Sequence, residues 1–102
     1  MAIFIDPPFD WGHRFGPSSH LVSDIPGVDG TCELTEFGFS IGLEAAWLQH
    51  RGSAKEHYDL FGPRFDWALE AGASLVHRRE VIRIVRAKRS FYLSVGVVIS
   101  RS

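Results

Sequence analysis

Short apolar runs separated by turn-forming residues organise this chain. Ala2-Ile3-Phe4-Ile5 is a β-prone run stopped by Asp6-Pro7-Pro8, because two prolines remove two backbone donors and force an extended exit. Phe9 to Pro17, rich in glycine, proline and aromatics, reads as an ordered loop carrying Trp11, His13 and Arg14. Ser19-His20-Leu21-Val22-Ser23-Asp24 follows, with a strand expected over His20 to Ser23. A repeat of two puts His20, Val22 and Asp24 on one face, with Leu21 and Ser23 on the other. His20 and Asp24 then lie about 13 Å apart. Ile25-Pro26-Gly27 leaves no room for a helix here, so Asp6 and Asp24 are both expected at strand ends.

A helix is expected from near Thr31. Asp29, Gly30 and Thr31 offer caps, and Glu33 and Glu36 suit the positive end of the dipole. Leu34, Phe37 and Ile41 form one apolar stripe, and Gly42 ends it. Trp47-Leu48 is expected to pack before a polar loop, His50 to Glu56. Tyr58-Asp59-Leu60 reads as extended. Gly62-Pro63 opens a second helix, with Phe65, Ala68 and Leu69 inside and Gly72 at its end. Ser74-Leu75-Val76 returns as a strand. A third helix runs from Arg78 to about Lys88, with Val81, Ile82 and Val85 inward and the arginines outward. Phe91 to Ser100 is β-prone and free of charge. A free edge of that composition aggregates, so it is expected to pair in this sheet or with a second copy, as a homodimer.

The pattern predicts an α/β domain, with α+β as the alternative. One sheet of four to five short strands is expected with three helices. Residues 1–102 form a single domain in this reading, with a core at 2–86 and a basic, apolar C-terminal extension at 87–102.

Composition narrows the class. At 45% hydrophobic and 13% aromatic residues, the chain can bury a small core. One cysteine, Cys32, excludes an internal disulfide framework and a multi-cysteine zinc site. In a helical segment it is expected to be a buried thiol. No basic stretch precedes a long apolar run at the N-terminus, and no segment reaches the ~18 apolar residues of a membrane span. A cytoplasmic protein without a membrane partner is therefore expected.

The net charge of −1 conceals an asymmetry. Residues 1–76 carry four bases against eleven acids, whereas 77–102 carry seven bases against one acid. An acidic body with a basic end suits either a phosphate or nucleic-acid contact, or a solvated helix that balances the body.

Candidate chemistry concentrates on two short stretches. His57 and Asp59 are two apart, so on a strand both point to one face and Tyr58 points into the core. If the His20 strand pairs beside them, the two imidazoles approach to about 5 Å. Two histidines and a carboxylate (His20, His57 and Asp59) form a sufficient shell for a divalent metal with positions left for water. Such an ion activates water against a phosphate ester. Without metal, a histidine backed by aspartate serves as general acid or base. Asp6 and Asp24 fit a ligand site beyond strand ends, and fit equally well as turn formers. Trp11, His13 and Arg14 are a second ligand-binding candidate, because aromatics with an arginine stack a base. Phosphate loops, glycine-rich dinucleotide turns and serine elbows are absent.

Ala2-Ile3-Phe4-Ile5-Asp6-Pro7-Pro8, Ser19-His20-Leu21-Val22-Ser23-Asp24, Glu33-Leu34, His57-Tyr58-Asp59-Leu60 and Ala71-Gly72-Ala73 occur in this order. Together they make residues 2–86 similar to the bacterial and phage family called domain of unknown function 4031. The resemblance implies a compact α/β domain without an established activity. Fusions of some relatives to HD-type phosphohydrolase domains imply a nucleotide or nucleic-acid setting. Thr35 departs from the family pattern, standing where relatives often have histidine, and the chain after about residue 90 lies outside that pattern.

Two functions are carried forward. One is hydrolysis or binding of a phosphate-containing ligand in a pocket of Asp6, His20, Asp24, His57 and Asp59. The other is a non-catalytic module that contacts nucleic acid or a protein through its basic C-terminal helix.

Overall fold

Four strands form one mixed sheet in the order β3-β2-β1-β4, in a computed structural model that describes residues 2–95. β1 (Ile3–Ile5) lies antiparallel to β2 (Ser18–Ser23) and parallel to β4 (Ser74–Leu75). β2 in turn pairs antiparallel with β3 (Tyr58–Phe61). With helices α1 (Gly27–Ser40), α2 (Arg64–Glu70) and α3 (Arg78–Ser94), this is a small α/β fold.

Register sorts the side chains. Phe4 stands opposite Val22, Ile5 opposite Leu21, and Leu21 opposite Tyr58. Alternation then gives one face to Ile3, Ile5, Leu21, Tyr58 and Leu60, which form the main core with Leu34 of α1 and Ala68 of α2. The opposite face carries Phe4 and Val22, which pack with Val81 and Ile84 of α3. Burying a side chain of this size stabilises the fold by about 1.5–3 kcal/mol, so these contacts anchor α3 across the sheet.

α1 starts four residues before the expected Thr31. Its N-cap is Pro26, which makes no side-chain cap hydrogen bond. Gly27 adopts a left-handed φ of 79°, and its N–H donates to the Tyr92 hydroxyl at 2.8 Å. A distant α3 residue thus satisfies a helix-start donor that local capping chemistry would otherwise serve. The earlier start also sets the buried stripe at Gly30, Leu34 and Gly38. Cys32 falls on the other side of the helix and is exposed, not buried as expected. Gly38 is required by close packing: a Cβ there would stand 2.8 Å from the Tyr58 ring.

α3 continues past Lys88 to Ser94, so Phe91 to Ser94 are helical and not the expected strand. Its buried residues are Val81, Ile84, Lys88 and Tyr92, spaced by three or four. Ile82 is exposed, and Val85 lies at the side of the stripe. Lys88, the expected end of the helix, is 2% exposed and donates to the Ser23 carbonyl at 2.7 Å. Burial pulls its pKa below the usual lysine value, against the opposing pull of Glu56 and Asp24. The remainder of the proposed pairing strand, residues 96–100, lies outside the described residues, as does the homodimer contact built on it. Among the described residues, no helix is long and apolar enough to cross a membrane.

Candidate metal and phosphate site

The face of the sheet that carries α3 also carries the polar cluster. His20 stands directly opposite Asp59 in the β2–β3 register. His57, immediately before β3, is held in an antiparallel bridge to Gln49, with backbone bonds of 2.9 and 3.1 Å. Their common pleat direction brings the His20 and His57 rings to 5.3 Å between centroids. Tyr58, between His57 and Asp59, points into the core and is 1% exposed, with its hydroxyl pushed up in pKa by burial.

Hydrogen bonding orients both imidazoles. Nδ1 of His20 lies 3.0 Å from Asp6 Oδ2, and the His20 backbone N–H donates to Asp6 Oδ1 at 2.6 Å. Nδ1 of His57 lies 2.7 Å from the Lys55 carbonyl oxygen. A carbonyl and an ionised carboxylate only accept, so each Nδ1 carries its proton and each neutral ring keeps its lone pair on Nε2. Both Nε2 atoms face the same oxygen, Asp59 Oδ1, at 3.9 Å for His20 and 3.3 Å for His57. Gln49 Nε2 donates to the other Asp59 oxygen at 2.5 Å.

His20, His57 and Asp59 each offer one ligand atom, all within 4.8 Å of one another. Zinc–ligand bonds of about 2.0–2.2 Å put neighbouring ligand atoms of a tetrahedral site roughly 3.3 Å apart. Small rotations of the side chains would therefore close the three around one ion. The outward ring nitrogens are held by a carboxylate and a backbone carbonyl, which are the usual supports of metal-binding histidines.

Electrostatics reflect the same crowding. Burial works against a charged His57. The Asp59 hydrogen bond, the Lys55 carbonyl, and the charges of Asp59 and Asp6 outweigh it and raise the His57 pKa above 6.5. The His57 hydrogen bond lowers Asp59 below 3.8 against its own burial, helped by the charge on His57, the Gln49 hydrogen bond and the charge on His20.

Above this cluster opens a cavity of about 480 Å³. His20, His57 and Asp6 line one side, and Arg78, Arg86 and Arg89 of α3 line the other with Lys55. Trp11 joins them, its ring edge-on to His20 at 5.6 Å. The Arg78 guanidinium lies 4.4 Å from the Phe9 ring centroid and 5.5 Å from that of Trp11. α3 thus turns much of its positive charge toward the two histidines.

The other expected site residues lie apart. Asp24 is exposed beyond the far end of β2, where it accepts the Ala2 N–H at 3.1 Å. His13 packs edge-on against Phe61 at 5.3 Å, and Arg14 lies over Phe15 at 4.9 Å, so neither lines the arginine-rich cavity.

Sequence reasoning missed two contributors. His50 has a φ of 55°, uncommon for any residue but glycine, and stacks on His57 at 5.9 Å. Glu56 is fully buried. Its carboxylate accepts from Thr31 Oγ1 at 2.7 Å and from the Gly52 N–H at 3.0 Å, pinning the loop that carries His50 and Lys55 to α1. The alternation through Glu56, His57, Tyr58 and Asp59 was the available signal, since it turns Glu56 inward beside Tyr58. Of Trp47-Leu48, expected to pack before the polar loop, Leu48 is buried and Trp47 is 46% exposed.

The sequence profile of the family described as "Protein of unknown function (DUF4031)" matches residues 3–88. The chain belongs to this family. No curated protein and no solved structure matches it. The matched span of this DUF4031 member includes every residue of the His–Asp cluster and ends at the buried Lys88.

Proposed function

We propose that this DUF4031 domain binds a divalent transition metal through His20, His57 and Asp59 and hydrolyses, or holds, a phosphate ester beside it. The observation that carries the reading is the convergence of three ligand atoms, two of them on histidines that line a cavity shared with Arg78, Arg86 and Arg89. Two imidazoles and one carboxylate leave open positions for water and a phosphate oxygen. An ion held by His20, His57 and Asp59 would supply a water of lowered pKa for attack on phosphorus, with the ester oxygen as leaving group. The water proton passes to solvent, and the departing oxygen takes a proton from it. Arg86 and Arg89 offset the negative charge on the phosphoryl oxygens.

The raised His57 pKa favours a second reading. With no ion bound, a protonated His57 beside Asp59 holds phosphate or acts as a general acid.

Metal content of untagged, chelator-free protein separates the two readings, followed by turnover of phosphoesters with and without zinc or manganese. The metal reading expects near-stoichiometric ion that is lost in His20→Ala and His57→Ala. Phosphoester turnover that persists in chelator, in protein without metal, establishes the second reading.

A further inference from the structure

Asp59 forms part of the wall of a second, larger cavity. Whereas Oδ1 faces the two histidines, the residue also borders a space of about 800 Å³ on the outer side of β3. That cavity is bounded by Phe15, Phe61, Trp47, Arg64, His13 and Gln49. Phe15 and His13 both stand edge-on to Phe61, at 5.6 and 5.3 Å. The Arg64 guanidinium lies 5.5 Å from the Trp47 ring centroid, and its buried Nε has no hydrogen-bond partner among the described residues. Phe15 is 67% exposed and Trp47 46% exposed, although both are large aromatics.

We infer that this groove receives the base of a nucleotide whose phosphate lies at the His20–His57–Asp59 cluster. This deepens the proposed phosphoester function and rests on it for the phosphate half alone. Three features select the occupant. Aromatic faces and a guanidinium favour a planar π-system, which they hold by stacking and cation–π attraction. Arg64 lines the groove, and its guanidinium offers donors to a ring nitrogen or carbonyl. Asp59 lines this groove while its Oδ1 faces His20 and His57, which line the arginine-rich cavity, so one ligand with an aromatic end and an anionic end can reach from the groove to the histidines. A nucleoside monophosphate has that chemistry, whereas inorganic phosphate fills only the arginine side.

The test uses the whole chain and tryptophan fluorescence, with adenosine, uridine, inorganic phosphate and the two nucleoside monophosphates as probes. Adenosine or uridine is expected to bind protein stripped of metal, and Phe15→Ala or Trp47→Ala to weaken it about 10-fold or more, with Phe15→Tyr restoring it. Both truncations alter exposed side chains, and phosphate binding should be unchanged in them. Failure of both nucleosides to bind, with monophosphate affinity unchanged in Phe15→Ala, overturns the inference. Nucleoside binding to the groove without any metal-dependent phosphate binding supports the base site and refutes the phosphate half.

Discussion

Asp6 holds His20 at two points: one carboxylate oxygen accepts the His20 backbone N–H at 2.6 Å and the other meets its Nδ1 at 3.0 Å. The first bond fixes where the residue sits, and the second fixes which ring nitrogen keeps its lone pair. Asp6 is 1% exposed and so holds this geometry without competition from water. Asp6→Asn keeps an acceptor for the backbone N–H but loses the charge behind the imidazole. Zinc affinity, measured by competition with a chromophoric chelator, should fall about 10- to 100-fold, as for other changes behind a metal-bound histidine. Unchanged affinity would show that His20 is not a ligand.

His20→Ala and His57→Ala should each abolish stoichiometric metal binding while the fold survives. Both side chains are partly exposed, at 28% and 18%, and neither belongs to the apolar clusters. Metal analysis and thermal melts of the same samples check this. Loss of folding in both variants would assign the histidines a structural role.

The metal-free protein should have a pH-dependent stability set partly by His57 and Asp59. The raised His57 value means that its contribution is complete below 6.5 and lost as pH rises through the folded value. The lowered Asp59 value means that its contribution is complete above 3.8 and lost as pH falls through the folded value. Both act together between 3.8 and 6.5. Melting in chelator should therefore show a decline from pH 6.5 toward alkaline pH that is smaller in His57→Asn. Equal slopes for the two proteins would remove the pair from the stability of the fold.

Arg86→Ala and Arg89→Ala should weaken inorganic phosphate binding about 10-fold each, the scale of a charge-assisted hydrogen bond. Arg83→Ala is the control, because Arg83 is already paired with Glu80 at 3.0 Å and does not line the cavity. Calorimetric titration of phosphate gives the comparison. A loss no greater than that of Arg83→Ala would detach α3 from the site.

Gly30→Ala should destabilise more than Gly38→Ala. A Cβ at Gly30 would stand 1.6 Å from the Ile25 carbonyl oxygen, which is backbone, whereas at Gly38 it meets the Tyr58 ring at 2.8 Å. Overpacking costs about 1–3 kcal/mol and occasionally more. Gly38→Ala recovers up to about 1 kcal/mol of helix propensity. At about 4–8 °C per kcal/mol, Gly30→Ala should melt more than 10 °C below the parent and Gly38→Ala within that interval. The reverse order in thermal melts would contradict the packing.

Much of the geometry of the candidate site was legible because strand alternation is local. Two-residue spacing put His57 and Asp59 on one face and Tyr58 on the other, and the rings stand 5.3 Å from each other across the sheet. α3 was legible only in part. Phe91 to Ser94 have β-prone side chains, but Tyr92 continues the buried stripe of Val81, Ile84 and Lys88. Its hydroxyl accepts the Gly27 N–H. Packing and a cap on another helix outweigh local propensity there.

By itself, the sequence determined the short strands, their breaks at proline and glycine, and the faces of His57, Tyr58 and Asp59. These follow from backbone sterics and a two-residue repeat, which need no partner. Tertiary structure decided that Asp6, His20 and Asp59 meet across three strands, that Lys88 is buried, and that Arg86 and Arg89 line the cavity beside the histidines. Strand register and the rotation of a packed helix are set by contacts distant in sequence, and local preferences do not encode them.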